Sequence, residues 1–180
     1  MILQQYKIVF AGSMGAGKTE AIKSLSEIPV LATEAFNTDS KTHNKMQTTV
    51  GIDYGEITLD DGAKIGLYGT PGQARFDFIW PLICKGALGV IILVDHNNET
   101  PLEELESYLN TFKSYNKNIS IGITHIDENK NRPTTIYRDW LIKNKYDYPL
   151  FCIDAREKEH ILLMIESLVA NLEVNFKAMS

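Results

Sequence analysis

Tyr6-Lys-Ile-Val-Phe-Ala-Gly-Ser-Met-Gly-Ala-Gly-Lys-Thr19 decides the fold. Its first half, Tyr6 to Ala11, is a short apolar run stopped by Gly12, the pattern of a buried strand. Its second half, Gly12 to Thr19, satisfies G-x-x-x-x-G-K-[ST] in full. After Gly17 a helical period begins, with Ala21, Ile22 and Leu25 on one side, and it ends before Pro29. A strand, a glycine-rich turn and a helix in that order form a phosphate cradle. Several backbone N–H groups can converge on one phosphate only where glycines let the chain curl closely, and the helix adds its positive end to the same point. The candidate contacts are therefore Gly12, Ser13, Met14, Gly15, Ala16 and Gly17 through their backbone, with Glu20 opening the helix. Lys18 is predicted to reach the β- and γ-phosphate oxygens, and the Thr19 hydroxyl to bind Mg²⁺.

Outward from this stretch, Pro29 to Thr48 shows no sustained period and reads as a loop of about twenty residues, a length that in a compact domain is usually functional or disordered. Val50–Leu59 and Lys64–Tyr68 turn strand-like and are joined by Asp60-Asp61-Gly62, a hairpin signal. Leu88–Val94 is apolar on every side, as a central parallel strand requires. Pro101–Tyr115 reads as a helix with Leu102, Leu105, Leu109 and Phe112 on one stripe. Ile119–Ile123 is a further buried strand, Thr134–Lys145 a helix, Leu150–Ile153 the last strand and Lys158–Phe176 the closing helix. The alternation predicts a doubly wound α/β domain over 1–180: a mostly parallel six-stranded sheet with one antiparallel edge strand and helices on both faces.

Composition narrows the function. Hydrophobic residues at 44% and charged residues at 23% allow one ordinary globular core. A net charge of −5 gives the surface no general attraction for nucleic acid or anionic lipid. Cys84 and Cys152 sit in apolar runs and are expected to be buried free thiols. The amino terminus does not have the pattern of a signal peptide, no run is long enough to span a bilayer, and Phe176-Lys-Ala-Met-Ser180 carries no prenylation box, so a cytoplasmic protein without an anchor of its own is expected. His43, His96 and His160 lack metal-ligand spacing and read as surface residues.

Tyr68-Gly-Thr-Pro-Gly-Gln73 follows a strand directly. Gly72 can offer its N–H to a γ-phosphate without a side chain in the way, and Gln73 can orient an attacking water. With these residues and the Gly12–Thr19 loop, the chain resembles a Ras-superfamily GTPase along nearly its whole length. The resemblance implies that Thr49-Val-Gly-Ile-Asp-Tyr54 ends the first switch, with Thr49 closing on Mg²⁺ and the γ-phosphate (Thr48 is the alternative), and that Gly69–Gln73 is the second switch. It implies that Thr124-His125-Ile-Asp127 reads the base and that Asp154-Ala155-Arg156 closes over it. A carboxylate at Asp127 accepts two hydrogen bonds from guanine's N1–H and amino group, a donor pair that adenine lacks, while Ala155 offers its N–H to the guanine oxygen.

The departures point further. Family members have an aspartate where Gly69 stands, and Asn-Lys where Thr124 and His125 stand. The combination here resembles the bacterial MglA polarity GTPases and conservon-type GTPases encoded beside Roadblock proteins, which makes a Roadblock-family dimer the implied regulator or effector. Asp53, four residues after Thr49, is the candidate acid to replace the missing one beside Mg²⁺. His125 can lie on the base but is shorter than lysine, so weaker guanine-nucleotide affinity is expected. Met14 crowds the γ-phosphate position, and turnover with Gln73, Lys18 and Thr49 as the catalytic set is expected to be slow without a partner. The expected function is thus a GTP/GDP switch. The alternatives are a nucleotide-binding module with negligible hydrolysis and an ATP-dependent phosphotransferase, the latter without a visible arginine-rich lid. Aromatic residues Phe76, Phe78 and Trp80 divide between core packing and a partner anchor.

Overall fold

The computed structural model describes residues 5–36, 49–60 and 62–179. In chain order these form β1 (Gln5–Ala11), α1 (Lys18–Leu25), β2 (Leu31–Phe36), β3 (Thr49–Thr58), β4 (Lys64–Gly69), a 3-10 helix (Ala74–Ile79), α2 (Trp80–Cys84), β5 (Gly89–Asp95), α3 (Pro101–Phe112), β6 (Ile119–Thr124), α4 (Thr135–Lys143), β7 (Leu150–Cys152) and α5 (Lys158–Met179). The strands make one sheet in the order β2-β3-β4-β1-β5-β6-β7. β4, β1, β5, β6 and β7 run parallel, and β3 runs antiparallel to both of its neighbours.

The expected fold class holds, with seven strands among the described residues where six were predicted. The extra one is β2, which lies within the stretch read as a loop, and it takes the sheet edge that had been expected for the antiparallel strand. Residues 37–48, and with them Thr48 and His43, lie outside the described residues.

Period-two alternation sorts the strands onto two faces. Ile8 and Phe10 of β1, with Ile91 and Leu93 of β5, face α1 and α5 and pack on Ile22, Leu25, Ile161, Met164 and Leu168. Val9 and Ala11, with Val90, Ile92 and Val94, face the other way onto Leu105, Leu109, Phe112, Tyr137 and Leu141. Burying each such side chain contributes about 1.5–3 kcal/mol against the chain entropy that folding costs. Tyr108 stacks on Phe112 with ring centroids 5.9 Å apart and Trp80 packs on it tilted at 5.1 Å, so the segment after β4 is tied to the core through an aromatic cluster. Phe76 and Trp80 are buried, while Phe78 is 45% exposed.

Two thiol and histidine expectations are corrected. Cys84 is buried but Cys152 is exposed, because β7 is a three-residue edge strand with one neighbour. His96 is fully buried, since its ring finds polar partners inside: Nδ1 lies 2.8 Å from the Tyr137 hydroxyl and Nε2 3.1 Å from the Arg132 carbonyl oxygen. A buried imidazole is tolerated only when both nitrogens are satisfied in this way. The carbonyl can only accept, so Nε2 carries the proton and Nδ1 accepts from Tyr137.

Candidate functional site

In doubly wound sheets the ligand crevice opens at the carboxyl ends of the strands, where the order of connections reverses. Here that place is the end of β1, between β4 and β5, and the Gly12–Thr19 turn occupies it. Gly12 has φ +145°, and a Cβ there would lie 2.3 Å from the Leu93 carbonyl oxygen, so only glycine lets the chain leave β1 this close to β5. Lys18 is 8% exposed and donates from Nζ to the carbonyls of Gly12 and Ser13, at 2.7 Å each. Burial pulls its pKa down to about 8, partly opposed by the carboxylates of Asp53 and Glu104. The cation is thus parked against the loop's own carbonyls.

Thr19 donates its hydroxyl to Asp53 Oδ2 in a short hydrogen bond. Asp53 stands opposite Gly69 in the β3–β4 register, and a Cβ on Gly69 would come within 3.2 Å of the Asp53 Cβ. The acid on β3 therefore fills the space beside Thr19 that a side chain from the end of β4 would otherwise enter. The hard oxygen pair of Thr19 and Asp53 suits Mg²⁺, which takes few protein ligands and keeps its remaining places for water and phosphate. The backbone of Thr49 opens β3, but its side chain is outside those described.

The segment after β4 closes this part of the site. Thr70 donates its N–H and hydroxyl to the Phe10 carbonyl oxygen, at 2.8 and 3.1 Å, and Trp80 donates its indole N–H to the Pro71 carbonyl oxygen. Gly72 then lies directly on the phosphate loop, where a Cβ would meet Met14 N at 2.4 Å. Met14 itself is 74% exposed. Gln73 is exposed and is not among the described residues lining the crevice, so the structure does not bring it to Lys18 and Thr19. A cavity of about 330 Å³ is bounded by residues that include Lys18, Thr19, Asp53, Thr70, Gly72 and His125.

A second cavity of about 210 Å³ continues from it, walled by Gly17, Glu20, Thr124, His125, Asp127, Glu128, Asp154, Ala155 and Arg156. Thr124 is buried, and its hydroxyl lies 3.0 Å from the Ala16 carbonyl oxygen, so the loop after β6 is fastened to the phosphate loop. Asp127 is exposed on the wall. Arg156 closes a fork on Asp154 through Nε and Nη2, and these hydrogen bonds hold the Asp154 carboxyl down to about 2. Asp154 also receives help from His160, whose Nδ1 accepts the Asp154 N–H at 3.0 Å. Most residues predicted for the phosphate, metal and base thus converge on two adjoining cavities; Gly12, Ser13 and Ala16 of the loop line neither, Gln73 is turned out, and the Thr49 side chain is outside those described.

Sequence reading missed the carboxylates behind these walls. Asp95 pairs with His125, Glu104 accepts the Ser13 N–H at 3.4 Å, and Asn98 donates to Glu104. The sequence signal for Asp95 is the run Asp95-His-Asn-Asn98, which turns polar at the last residue of an otherwise apolar strand, whereas Glu104 shows only as an acid in the first turn of α3.

Such a cradle at the crevice of a doubly wound sheet, with a second cavity beyond it, defines a P-loop nucleotide-binding protein. The model of the Ras family matches residues 7–173, and the chain belongs to that family of small GTPases. It is similar to Ras-related protein Rab-13 of Canis lupus familiaris, with 32% identity over 124 residues that cover 67% of this chain and 54% of the relative. Ras-related protein Rab-18-B of Danio rerio shares 29% over 63% of this chain and 51% of its own length. For Ras-related protein Rab-8B of Bos taurus the figures are 30%, 61% and 49%. The chain therefore spans about half the length of the curated relatives it matches. Among the described residues no helix is long and apolar enough to cross a membrane.

Proposed function

We propose that this chain is a Mg²⁺-dependent guanine-nucleotide switch that hydrolyses GTP to GDP slowly. The observation that carries the reading is the junction of the two cavities: the Lys18 cradle continues into a pocket that holds Asp127 and Ala155 together. In this reading Asp127 accepts from the guanine N1–H and amino group, and the Ala155 N–H donates to the guanine oxygen. Lys18 leaves its carbonyl partners for the β- and γ-oxygens. The metal bound by Thr19 and Asp53 neutralises phosphate charge when present, with Thr49 as the expected first-switch ligand.

Gly72 supports a sensing role. It already touches the phosphate loop, so a γ-phosphate arriving there must displace or engage its backbone, and the motion passes to the 3-10 helix and α2. The exposed Phe78 and Leu82 on those elements give a partner something to read. Gln73, exposed in this arrangement, would have to swing inward to orient water. That requirement, with Met14 beside the γ-phosphate position, supports slow turnover awaiting a partner.

The pairing of Gly69-Thr-Pro-Gly-Gln73 with Thr124-His-Ile-Asp127 supports a bacterial-type member regulated by a Roadblock-family dimer in the cytoplasm. The relatives named above are Rab proteins of animals, so this finer placement rests on those motifs alone.

The test is a calorimetric titration of GDP and GTP against ADP and ATP, with Mg²⁺ and then with EDTA. Guanine binding at least about tenfold tighter, weakened by EDTA, is expected for two hydrogen bonds onto a carboxylate. Equal binding of adenine nucleotides would overturn the reading.

A further inference from the structure

His125 stands where the two cavities meet, since it lines both. Its backbone has φ +56°, a left-handed conformation that an L residue adopts at a cost of about 1–2 kcal/mol. Something must hold it there. The Glu128 N–H donates to the His125 carbonyl oxygen at 3.2 Å, which closes the turn. On the side chain, Nδ1 lies 3.1 Å from Asp95 Oδ1. Nδ1 also lies 3.2 Å from the Thr124 hydroxyl oxygen, so the ring is held on that side by the Asp95 carboxylate together with the hydroxyl of its chain neighbour.

Asp95 is itself held firmly. It is the last residue of β5, in register with Thr124 of β6. Its Oδ1 also accepts the Asn97 N–H at 2.9 Å, and Asn97 in turn donates from Nδ2 to Glu128 Oε2 at 2.5 Å. The Asp95–Asn97 turn thus grips the Thr124–Glu128 loop at two points, through His125 and through Glu128. The charged groups around the imidazole are Asp95 from β5 and, from its own loop, Asp127 and Glu128. Across the cavities stand Glu20 and Lys18 of α1, Asp53 of β3, and Asp154 and Arg156 after β7.

We infer that Asp95 is a positioning residue for nucleotide binding: it fixes the His125 ring against the ribose and base at the junction of the two cavities. The inference rests on the nucleotide-binding reading of the site but not on its guanine preference. A ring face serves any nucleobase, so Asp95 contributes to affinity for the nucleoside half and not to the choice of base. It does nothing for phosphate, which falls to the Gly12–Thr19 loop and the groups around it.

The experiment is isothermal titration of the whole chain with GDP, ADP and inorganic pyrophosphate, in Mg²⁺. The variants are Asp95→Asn, His125→Gln and their combination, with Asp95→Ala as a second removal of the acceptor. Asp95→Asn retains an oxygen for the Asn97 turn, and a thermal melt of each variant checks that the fold is intact. Expected is a loss of about five- to tenfold in affinity for GDP and ADP alike, with pyrophosphate unchanged, and no further loss when either Asp95 variant is added to His125→Gln. A GDP-to-ADP ratio near one that survives in every variant would remove the guanine reading and leave this one standing. Unchanged nucleotide affinity in both Asp95 variants, an equal loss for pyrophosphate, or a full additional loss in the His125→Gln background would each overturn it.

Discussion

Lys18 offers the sharpest quantitative test, because the structure assigns its cation a cost in the nucleotide-free protein. The side chain is 8% exposed, and burial brings its pKa from 10.5 to about 8. At about 1.4 kcal/mol per tenfold change in proton affinity, holding the ammonium in place costs the empty fold about 3 kcal/mol at neutral pH. The sign follows from linkage. Between pH 8 and 10.5 the unfolded chain still binds the proton and the folded chain has released it, so this group's contribution to stability rises with pH across that window. Below pH 8 the cost is fully present.

Replacing Lys18 with methionine removes the titration while keeping an unbranched side chain of similar length. Urea unfolding of the nucleotide-free chain, followed by Trp80 and Trp140 fluorescence, should therefore give two stability curves that converge. The advantage of Lys18→Met over the parent is expected to shrink by about 2–3 kcal/mol between pH 7 and 10. Taking the difference cancels the other lysines and tyrosines that titrate in the same range. Curves that stay parallel from pH 7 to 10 would refute the reasoning, since Lys18 would then keep its proton as an exposed lysine does. The same linkage makes stabilisation by GDP weaken as pH climbs through 8 in the parent, because the phosphates bind the protonated form.

Three further outcomes follow from contacts already described. Gly72→Ala puts a methyl 2.4 Å from Met14 N, so the segment must lift off the phosphate loop; a γ-phosphate analogue of GTP should lose its affinity advantage over GDP while GDP itself changes less than about twofold, measured by calorimetry. Asp53→Asn removes the charge beside Thr19 and should weaken the Mg²⁺ dependence of GDP binding by about tenfold, and an unchanged Mg²⁺ titration would take Asp53 out of the metal site. Phe112→Ala empties the centre of the Trp80–Tyr108 cluster and should cost about 3–5 kcal/mol in urea unfolding, with a loss below about 1 kcal/mol showing that the cluster is not a core.

The legible parts of the fold were those where one segment carries its own constraint. β5 is buried on both faces, so Gly89–Val94 has to be apolar throughout, and the Asp60-Asp-Gly62 turn announces the antiparallel β3–β4 pair by chemistry local to it. β2 was missed for the opposite reason. Leu31-Ala-Thr-Glu-Ala-Phe36 pairs on one side only, and an edge strand with a single neighbour needs no strong alternation. His96 was misread because its partners, Tyr137 and the Arg132 carbonyl, come from 41 and 36 residues away, and no local pattern announces them. The phosphate loop and the Thr124–Asp127 and Asp154–Arg156 stretches were visible as motifs, whereas Asp95 and Glu104, which touch those motifs from behind, show only as an acid at a strand end and an acid in the first turn of a helix. Gln73 marks another boundary, because a motif gives identity and not the conformation of a movable segment.

In the proposed reading Asp53 serves the metal in place of an acid at position 69, and the sheet itself gives the reason for that position rather than some other neighbour. Gly51, Asp53, Gly55 and Ile57 share one face of β3, because side chains alternate along a strand. That face looks onto α1: a Cβ on Gly55 would lie 2.7 Å from Ile22 Cγ2 and 2.8 Å from Ser26 Oγ. Asp53 is the position on this face that lies opposite Gly69, and thus at the level of Thr19 in the first turn of α1. Shifting the acid by one residue would turn it to the opposite face of the sheet, and shifting it by two would carry it about 7 Å along the strand. The register also demands that position 69 be small, since a side chain there would meet Asp53 and Ile22 at about van der Waals contact or closer. Glycine at 69 and aspartate at 53 are therefore one feature. Restoring a carboxylate with Gly69→Asp alone would crowd two acids against Thr19 and is expected to impair the site, while the exchange Gly69→Asp with Asp53→Gly should recover Mg²⁺-dependent binding. Equal binding by the single and the exchanged variants would show that the two positions are not coupled.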